Sequence, residues 1–523
     1  MAGAQNLEKA PYYITTPIYY VNDSPHIGHV YTTLACDVLA RFMRLDGRDV
    51  KFLTGTDEHG QKVERSAQAR GTDPQAFTDK MSRNFRDLSG PWKFTNDDFI
   101  RTTEERHVHA CQDLWRKLKD AGDIYLGSYA GWYAVRDEAF YGEDELTDGE
   151  DGRKYAPSGA EVDWVEEPSY FFRLSAWQDR LLRFYQDNPD FIGPDARRNE
   201  VISFVKSGLR DLSVSRTTFA WGIQVPDDPA HIMYVWLDAL TNYITAVGYP
   251  DTEAPDYRKF WPADLHMVGK DILRFHAVYW PAFLMAADLE PPKRVYAHGW
   301  WTNEGQKISK SLGNVIDAYQ LINDYGLDQA RYFLLREVPF GNDGDFSHRA
   351  MVSRINNDLA NDFGNLAQRV LSMIHKNCDG KIPEPGELMP SDESLLAATQ
   401  AVLPKMRSEL SVQAFHRSLE AVWAVVGQAN RYVDEMAPWV LRKTDRARME
   451  TVLYVLADVI RQLAIVTQPF MPDAPAALLD QLGQPHDARD FASLPTRLEP
   501  GRAIAKPSGV FPRYVEEERQ DAS

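Results

Sequence analysis

Two short stretches far apart in the chain carry residue types that could act together on a polyphosphate. The first is Pro25-His26-Ile27-Gly28-His29, between a strand-like run over Tyr12-Tyr13-Ile14-Thr15-Thr16 and a helix-like run from Val30 to Leu45. In that run Leu34, Val38, Phe42 and Leu45 fall on one face at helical spacing and Gly47 closes it, so both histidines stand at the helix start. The unpaired N–H groups and positive dipole end of a helix hold anions, and a phosphate is the expected guest. Gly28 lacks the side chain that would keep a nucleotide off the backbone. The second stretch is Lys307-Ile308-Ser309-Lys310-Ser311, with Gly305 before it and Gly313 after it. Two ammonium groups on a glycine-flanked loop can close on a triphosphate and neutralise charge as it develops. Taken singly, each stretch reads more simply as a turn with a packed histidine or a solvated loop. Their pairing gives them meaning.

The elements around them must bring them together. A second strand-like run, Asp49 to Gly55, completes a β-α-β unit, and such units build parallel sheets with ligands at the carboxyl ends of the strands. Just past it, Thr56-Asp57-Glu58-His59-Gly60 places a carboxylate and an imidazole at that edge. Asp57 fits two readings, the N-cap of a helix over 61–70 or the partner of an amino acid's ammonium. From Gly122 to Val225 the alternation lapses, and aromatic and turn residues lead into an acidic stretch, Glu143 to Asp151. This reads as an insertion with a solvated surface, between two halves of a nucleotide-binding domain. Arg216 near its end either reaches a phosphate or makes a surface salt bridge. The alternation then resumes. Tyr234 to Tyr243 is a strand end turning into a helix, with Trp236, Leu240 and Tyr243 on one face, a stripe that on spacing alone reads as core. A strand from Leu265 ends in Gly269-Lys270-Asp271, where a carboxylate meets ribose hydroxyls in nucleotide folds, and Ile272 to His276 opens the next helix.

Composition bounds the rest. A chain of 523 residues, 44% hydrophobic, exceeds one core and suggests about three units at roughly 150 residues each. Its longest apolar run, Leu453 to Val466, is broken by Asp458, Arg461 and Gln462, so no membrane span is expected, and the polar first ten residues suggest a cytoplasmic protein. Cys36, Cys111 and Cys378 are isolated, which argues for a reducing compartment without disulfides or a thiolate zinc site. The net charge of −18 means that any nucleic-acid partner must meet a local basic face. Beyond Asp345 the pattern is helical throughout, over Met351 to Cys378, Asp392 to Leu410, Val412 to Met436 and Arg446 to Thr467, which predicts a helix bundle. Within it Asn365 and Arg369 lie one turn apart and Trp439 follows Pro438. An amide, a guanidinium and an indole of this kind read and stack unpaired bases, although spacing alone makes Trp439 core. Arg431, Arg442, Lys443, Arg446 and Arg448 form either a basic face or ordinary surface charge.

In this order and these contexts, the two stretches resemble the paired HIGH and KMSKS motifs of class I aminoacyl-tRNA synthetases, with Ile308 the one departure, apolar for apolar. The stretches from Tyr12 to His29, Thr54 to Gly60, Tyr234 to Tyr243, Gly269 to Pro281 and His298 to Asn314 narrow the resemblance to the methionyl-tRNA synthetases. The fold expected is α/β, a Rossmann-type parallel-sheet catalytic domain split by an insertion and followed by an all-α helix-bundle anticodon-binding domain. Its divisions are 1–121 and 226–295 for the catalytic halves, 122–225 for the insertion, 296–348 for the link with the lysine loop, and 349–523 for the bundle and tail. The resemblance implies activation of methionine by Mg2+-ATP to methionyl-adenylate and transfer to tRNA(Met), for initiation and elongation. It makes His26, His29, Lys307 and Lys310 catalytic, with Asn22, Gly28, Gly269, Asp271 and Arg216 joining the histidines and Lys310 around ATP. Ile18, Tyr20, Trp236, Leu240, Tyr243 and Ile272 would wall the methionine pocket, with His276 near the thioether and Asp57 on the ammonium. Asn365, Arg369 and Trp439 match the residues that recognise the anticodon.

Relatives often carry a zinc knuckle with Cys pairs in the insertion. None stands here, so the expectation is the short bacterial-type form without structural zinc, with no metal ligands, and, with no further domain apparent after Tyr514, a monomer. Two readings from other classes stay open. A small-molecule nucleotidyltransferase would not need the long helical region, and a catalytically idle tRNA-binding protein would not need His26, His29, Lys307, Lys310 and Asp57 together. Among synthetases, one for leucine, isoleucine or valine is the nearest alternative, and a large editing insertion would mark it.

Overall fold

Both faces of the first strand are covered. β1 (Lys9–Thr15) is buried from Tyr12 onward, as the interior of a parallel sheet requires. The chain passes through a short strand, β2 (Tyr19–Tyr20), enters the long helix α1 (Ile27–Leu45) and returns as β3 (Arg48–Asp57), parallel to β1 with Ile14 opposite Phe52. The helix starts at Ile27 rather than at Val30 because His26 caps it: its side chain accepts from the backbone of Gly28, and the His29 side chain answers back to the N–H of His26. The computed structural model describes residues 9–21, 24–137, 139–149, 151–308 and 313–516. Asn22 and Lys310 lie outside the described residues, as does the side chain of Lys307.

Among the described residues the main sheet has seven strands, all parallel. Ile192–Gly193, Val295–His298, Leu265–Gly269, β1 and β3 lie side by side in that order, and β2 and β4 (Asp98–Arg101) both pair with β3. The chain therefore leaves β1 toward β3 on one side and returns much later on the other, and the crevice at the carboxyl end of β1 is the switch point where such sheets bind ligands. β4 approaches β3 so closely that a Cβ on Gly55 would stand 2.0 Å from the Ile100 carbonyl. The interval 122–225 holds an antiparallel sheet in which Asp163–Phe172 runs along Ile124–Ala134. It also holds Ile192–Gly193, an edge strand of the main sheet; two residues are too few to betray a strand by pattern.

Beyond Asp345 the chain is helical. His348–Ser353 continues through the wider i→i+5 turns of Arg354–Gly364 into Asn365–Asn377, and Pro390–Gln400, Val402–Ser411, Phe415–Met436 and Arg446–Thr467 follow. The last of these is buried from Thr451 to Thr467. The charges that interrupt it are matched internally, since Arg461 and Gln462 both donate to Asp458 at 2.9 Å. No helix among the described residues is long and apolar enough to cross a membrane.

Bundle and catalytic unit share one apolar core, which runs from α1 through the helix Leu327–Arg336 to Arg446–Thr467. At its polar centre is the fully buried Arg331. Its guanidinium donates to Asp37 of α1 at 2.6 Å, to the Trp92 carbonyl at 3.0 Å, and to the carbonyls of Pro469 and Phe470 at 2.9 and 2.8 Å. Cys36 on α1 and Cys111 are buried, and Cys378 is partly so.

Candidate active site

The histidine stretch is held by its own backbone. Nδ1 of His26 accepts from Gly28 N and Nδ1 of His29 accepts from His26 N, each at 3.1 Å, so both rings carry their proton on Nε2 and have an N–H left to donate. Burial lowers the pKa of His26, and burial with the neighbouring His26 ring pushes His29 well below the usual histidine range. Both are neutral donors at pH 7, with ring centroids 4.1 Å apart. The Tyr19 hydroxyl donates to the His29 carbonyl at 3.1 Å and steadies the turn.

The lysine stretch is tied to this helix at both ends. On its entry side, His298 Nε2 meets Thr32 Oγ1 of α1 at 2.7 Å, and the chain then forms Trp301–Asn303, which pairs antiparallel with Gln306–Lys307. On its exit side, Ile27 N donates to the Ile316 carbonyl at 3.2 Å, and His26 and Asp317 form a bridge. Segments far apart in sequence thus meet over the first turns of α1. Gly269 ends the strand Leu265–Gly269 and Asp271 follows it, exposed, with Trp300 Nε1 donating to it at 3.2 Å.

A separate apolar cluster holds the aromatic stripe. Leu240 and Tyr243, on the helix Val235–Thr245, are buried, and Ile18, Trp236 and Ile272 pack on the same core. Trp236 stacks on Phe275 with centroids 3.5 Å apart. His276 accepts at Nε2 from the Tyr243 hydroxyl at 2.6 Å and donates from Nδ1 to the Ile272 carbonyl at 2.9 Å; burial lowers its pKa to about 4, so it is neutral. Asp57 is the last residue of β3, buried, with Tyr20 its register partner. It is not a helix cap, because the helix Gln61–Ala69 takes Gly60 as its N-cap. Arg216 is no surface salt bridge. It is buried, 3.6 Å from Glu167, and its guanidinium lies 3.7 Å over the Tyr234 ring.

Pattern reading passed over a buried network. Asp238 accepts from His59 Nδ1 at 2.6 Å and from His107 Nε2 at 2.9 Å, and Cys111 Sγ is 3.2 Å from His107 Nε2. Burial pushes the Asp238 carboxyl up, but the two imidazoles outweigh it and hold the group down at about 2. His107, Cys111 and Asp238 form the one group among the described residues whose donor atoms could hold a metal ion. The nitrogen–oxygen separation is shorter than the about 3.4 Å between two ligands of one tetrahedral zinc, and burial with the Asp238 charge pushes the thiol well above its usual range. The arrangement is that of hydrogen-bonded neighbours. His266, bonded to Thr15 Oγ1 at 2.8 Å and stacked on Tyr243, was likewise unread, because its partners are remote in sequence.

In the bundle, Asn365 begins the helix Asn365–Asn377, with Arg369 one turn on. The Arg369 guanidinium lies 5.4 Å from the Trp439 ring, and both line a groove of about 230 Å³. Trp439 is not core; it is 43% exposed. The expected basic face is narrower than its five cations, because Arg448 is held by both oxygens of Asp392 at 2.6 Å and Arg446 pairs with Glu450.

A parallel sheet with a histidine turn at its switch point, a lysine-bearing strand returning to that turn and a helical domain packed beneath is the architecture of a class I aminoacyl-tRNA synthetase. The profile of class I tRNA synthetases of the M group matches residues 12–371, and that of the anticodon-binding domain of methionyl tRNA ligase matches 382–523. The methionine–tRNA ligase of Rhizobium meliloti is 57% identical over 510 residues, covering 97% of this chain and 99% of its own. That of Mycobacterium tuberculosis is 54% identical over 510 residues, covering 96% and 98%. The solved M. tuberculosis methionyl-tRNA synthetase in complex with methionyl-adenylate superposes with a TM-score of 0.94 at 53% identity, over 96% of this chain and 100% of that one. Its apo form gives 0.89 at 50%, over 98% and 100%. The chain belongs to the methionyl-tRNA synthetase family.

Proposed function

We propose that this chain ligates methionine to tRNA(Met), with residue roles that follow from the site. The methionine carboxylate attacks the α-phosphate of ATP, pyrophosphate leaves, and the terminal ribose of the tRNA then takes the methionyl group from the adenylate. No protein nucleophile is needed, because such transfers are driven by positioning and charge stabilisation. His26 and His29 offer neutral N–H donors to the phosphates at the start of α1, and Gly28 lets the nucleotide lie against the backbone. Lys307 and Lys310 neutralise the leaving pyrophosphate, and Asn22 joins the residues that bind ATP. Gly269 and Asp271 hold the ribose. Arg216, buried behind Tyr234, supports the site rather than reaching a phosphate. Asp57 takes the ammonium, while Ile18, Tyr20, Trp236, Leu240, Tyr243, Ile272 and His276 enclose the side chain; rings suit a thioether at about 0.3–1.5 kcal/mol per contact. Asn365, Arg369 and Trp439 read the anticodon. Mg2+ enters with the nucleotide, and the scattered cysteines favour an enzyme without structural zinc.

The observation that supports this reading is that the chain before and after the lysine stretch is attached to α1, through His298 with Thr32 on one side and through Ile316 with Ile27 and Asp317 with His26 on the other. Pyrophosphate exchange into ATP, run with each of the twenty amino acids, tests it. Exchange driven by methionine alone is expected; exchange driven by another amino acid would overturn the pocket, and none with any would overturn the reaction.

A further inference from the structure

His59 has no part in the reaction as written, yet it is buried at the edge of the methionine pocket with its Nδ1 on Asp238 at 2.6 Å. Asp238 lies in the first turn of the helix Val235–Thr245, which also carries Trp236, Leu240 and Tyr243. Its other oxygen takes His107 Nε2 at 2.9 Å, and His107 Nδ1 is 3.2 Å from Thr245 Oγ1 at the far end of that helix. Glu58, between Asp57 and His59, is held as firmly. Arg101 grips its carboxylate at 2.7 and 2.9 Å, Thr103 donates at 2.7 Å, and its carbonyl accepts from Trp221 Nε1 at 2.6 Å. Asp57 is thus followed by two residues that each have a charged partner, and the partner of the second rides on the helix of the apolar wall. Charge-assisted hydrogen bonds in buried surroundings are short and directional, so this link fixes spacing as well as contact.

We propose that Asp238 is a positioning residue for methionine: through His59 it sets the spacing between the Asp57 carboxylate and the wall formed by Trp236, Leu240 and Tyr243. The inference rests on the functional reading above. Methionine must satisfy its ammonium and its side chain at once, and a misplacement of about 1 Å can cost on the order of 100-fold. Among the described residues assigned to ATP, none of His26, Gly28, His29, Gly269 and Asp271 takes part in these hydrogen bonds.

The test is pyrophosphate exchange with the full chain, measuring the Michaelis constants for methionine and ATP separately. In Asp238→Asn and in His59→Asn the methionine constant is expected to rise roughly 10- to 100-fold, with that for ATP within about twofold. The double variant is expected to be no worse than the weaker single one, since both break one link. His107→Gln removes the partner of Asp238 remote from Asp57, and is expected to move the methionine constant less than about threefold. A parent-like methionine constant in Asp238→Asn, a parallel rise for ATP, or an equal effect of His107→Gln and His59→Asn would each overturn the proposal in favour of general packing. Should Asp238→Asn not fold, His59→Asn decides by the same readout. A parent protein without methionine-dependent exchange would instead overturn the functional reading before any variant is compared.

Discussion

At the scale of single residues, burial keeps His26, His29 and His276 neutral, and two imidazoles keep the buried Asp238 charged. Asp57 gives the sharpest consequence. In the role proposed for it, Asp57 gives the substrate ammonium a charged hydrogen bond worth about 1.5–3 kcal/mol, so Asp57→Asn is expected to raise the methionine Michaelis constant roughly 10- to 150-fold while ATP binding holds, as exchange kinetics would report. His276 carries a pH dependence. Its pKa is near 6.5 in the unfolded chain and about 4 in the buried site, so below pH 6.5 the unfolded state binds the extra proton. Stability contributed by the neutral ring is therefore full above pH 6.5 and is lost as pH falls toward 4. Urea unfolding is expected to show about 2 kcal/mol less stability at pH 5 than at pH 7 from this group, and His276→Gln to flatten the slope. The motif residues were legible because their types are rare at such spacing, whereas the roles of Asp238, His59 and His266 were not, since a hydrogen bond between distant segments leaves no periodic trace.

At the scale of elements, the structure is strongest where a charged side chain fastens several at once. Arg331 joins α1, the Trp92 segment and the Pro469 turn. Arg331→Met leaves Asp37 buried with Arg41 as its remaining cation and strands three carbonyls. A loss of about 3–5 kcal/mol is expected, read from the midpoint of chemical denaturation. Long helices declared themselves by period: the runs from Val412 and Arg446 were visible to within a few residues, because helix caps and prolines bound them. Two-residue strands such as Ile192–Gly193 did not, since pairing rather than composition defines them. Of the two readings of Arg216, burial removes the surface salt bridge, and only the fold reveals the ring and the carboxylate that enclose the guanidinium.

At the scale of the whole molecule, an acidic protein of net charge −18 must receive a polyanion, so recognition is expected to depend on a few exposed groups. Trp439 is the plainest of them. A stacked base contributes about 1–3 kcal/mol, so Trp439→Ala is expected to lower kcat/KM for tRNA charging roughly 5- to 150-fold and to leave methionine-dependent exchange at the parent rate. Comparing the two assays on one preparation checks this. The overall division into parallel sheet, insertion and bundle followed from the change of period along the chain. The merging of α1 and the bundle into one core did not, because period marks which face is buried and never against what. The placement of the three cysteines has a further consequence. With Cys36 on α1 turned to the Thr15 carbonyl of β1 and Cys111 on the helix Glu105–Asp120 turned to the Asp238 carbonyl of Val235–Thr245, both buried, while Cys378 is partly open, alkylating reagents will meet the folded chain at very different rates. The native thiols thus form a built-in clock, in which Cys36 times the lifting of α1 from its sheet and Cys111 times the parting of its own helix from Val235–Thr245.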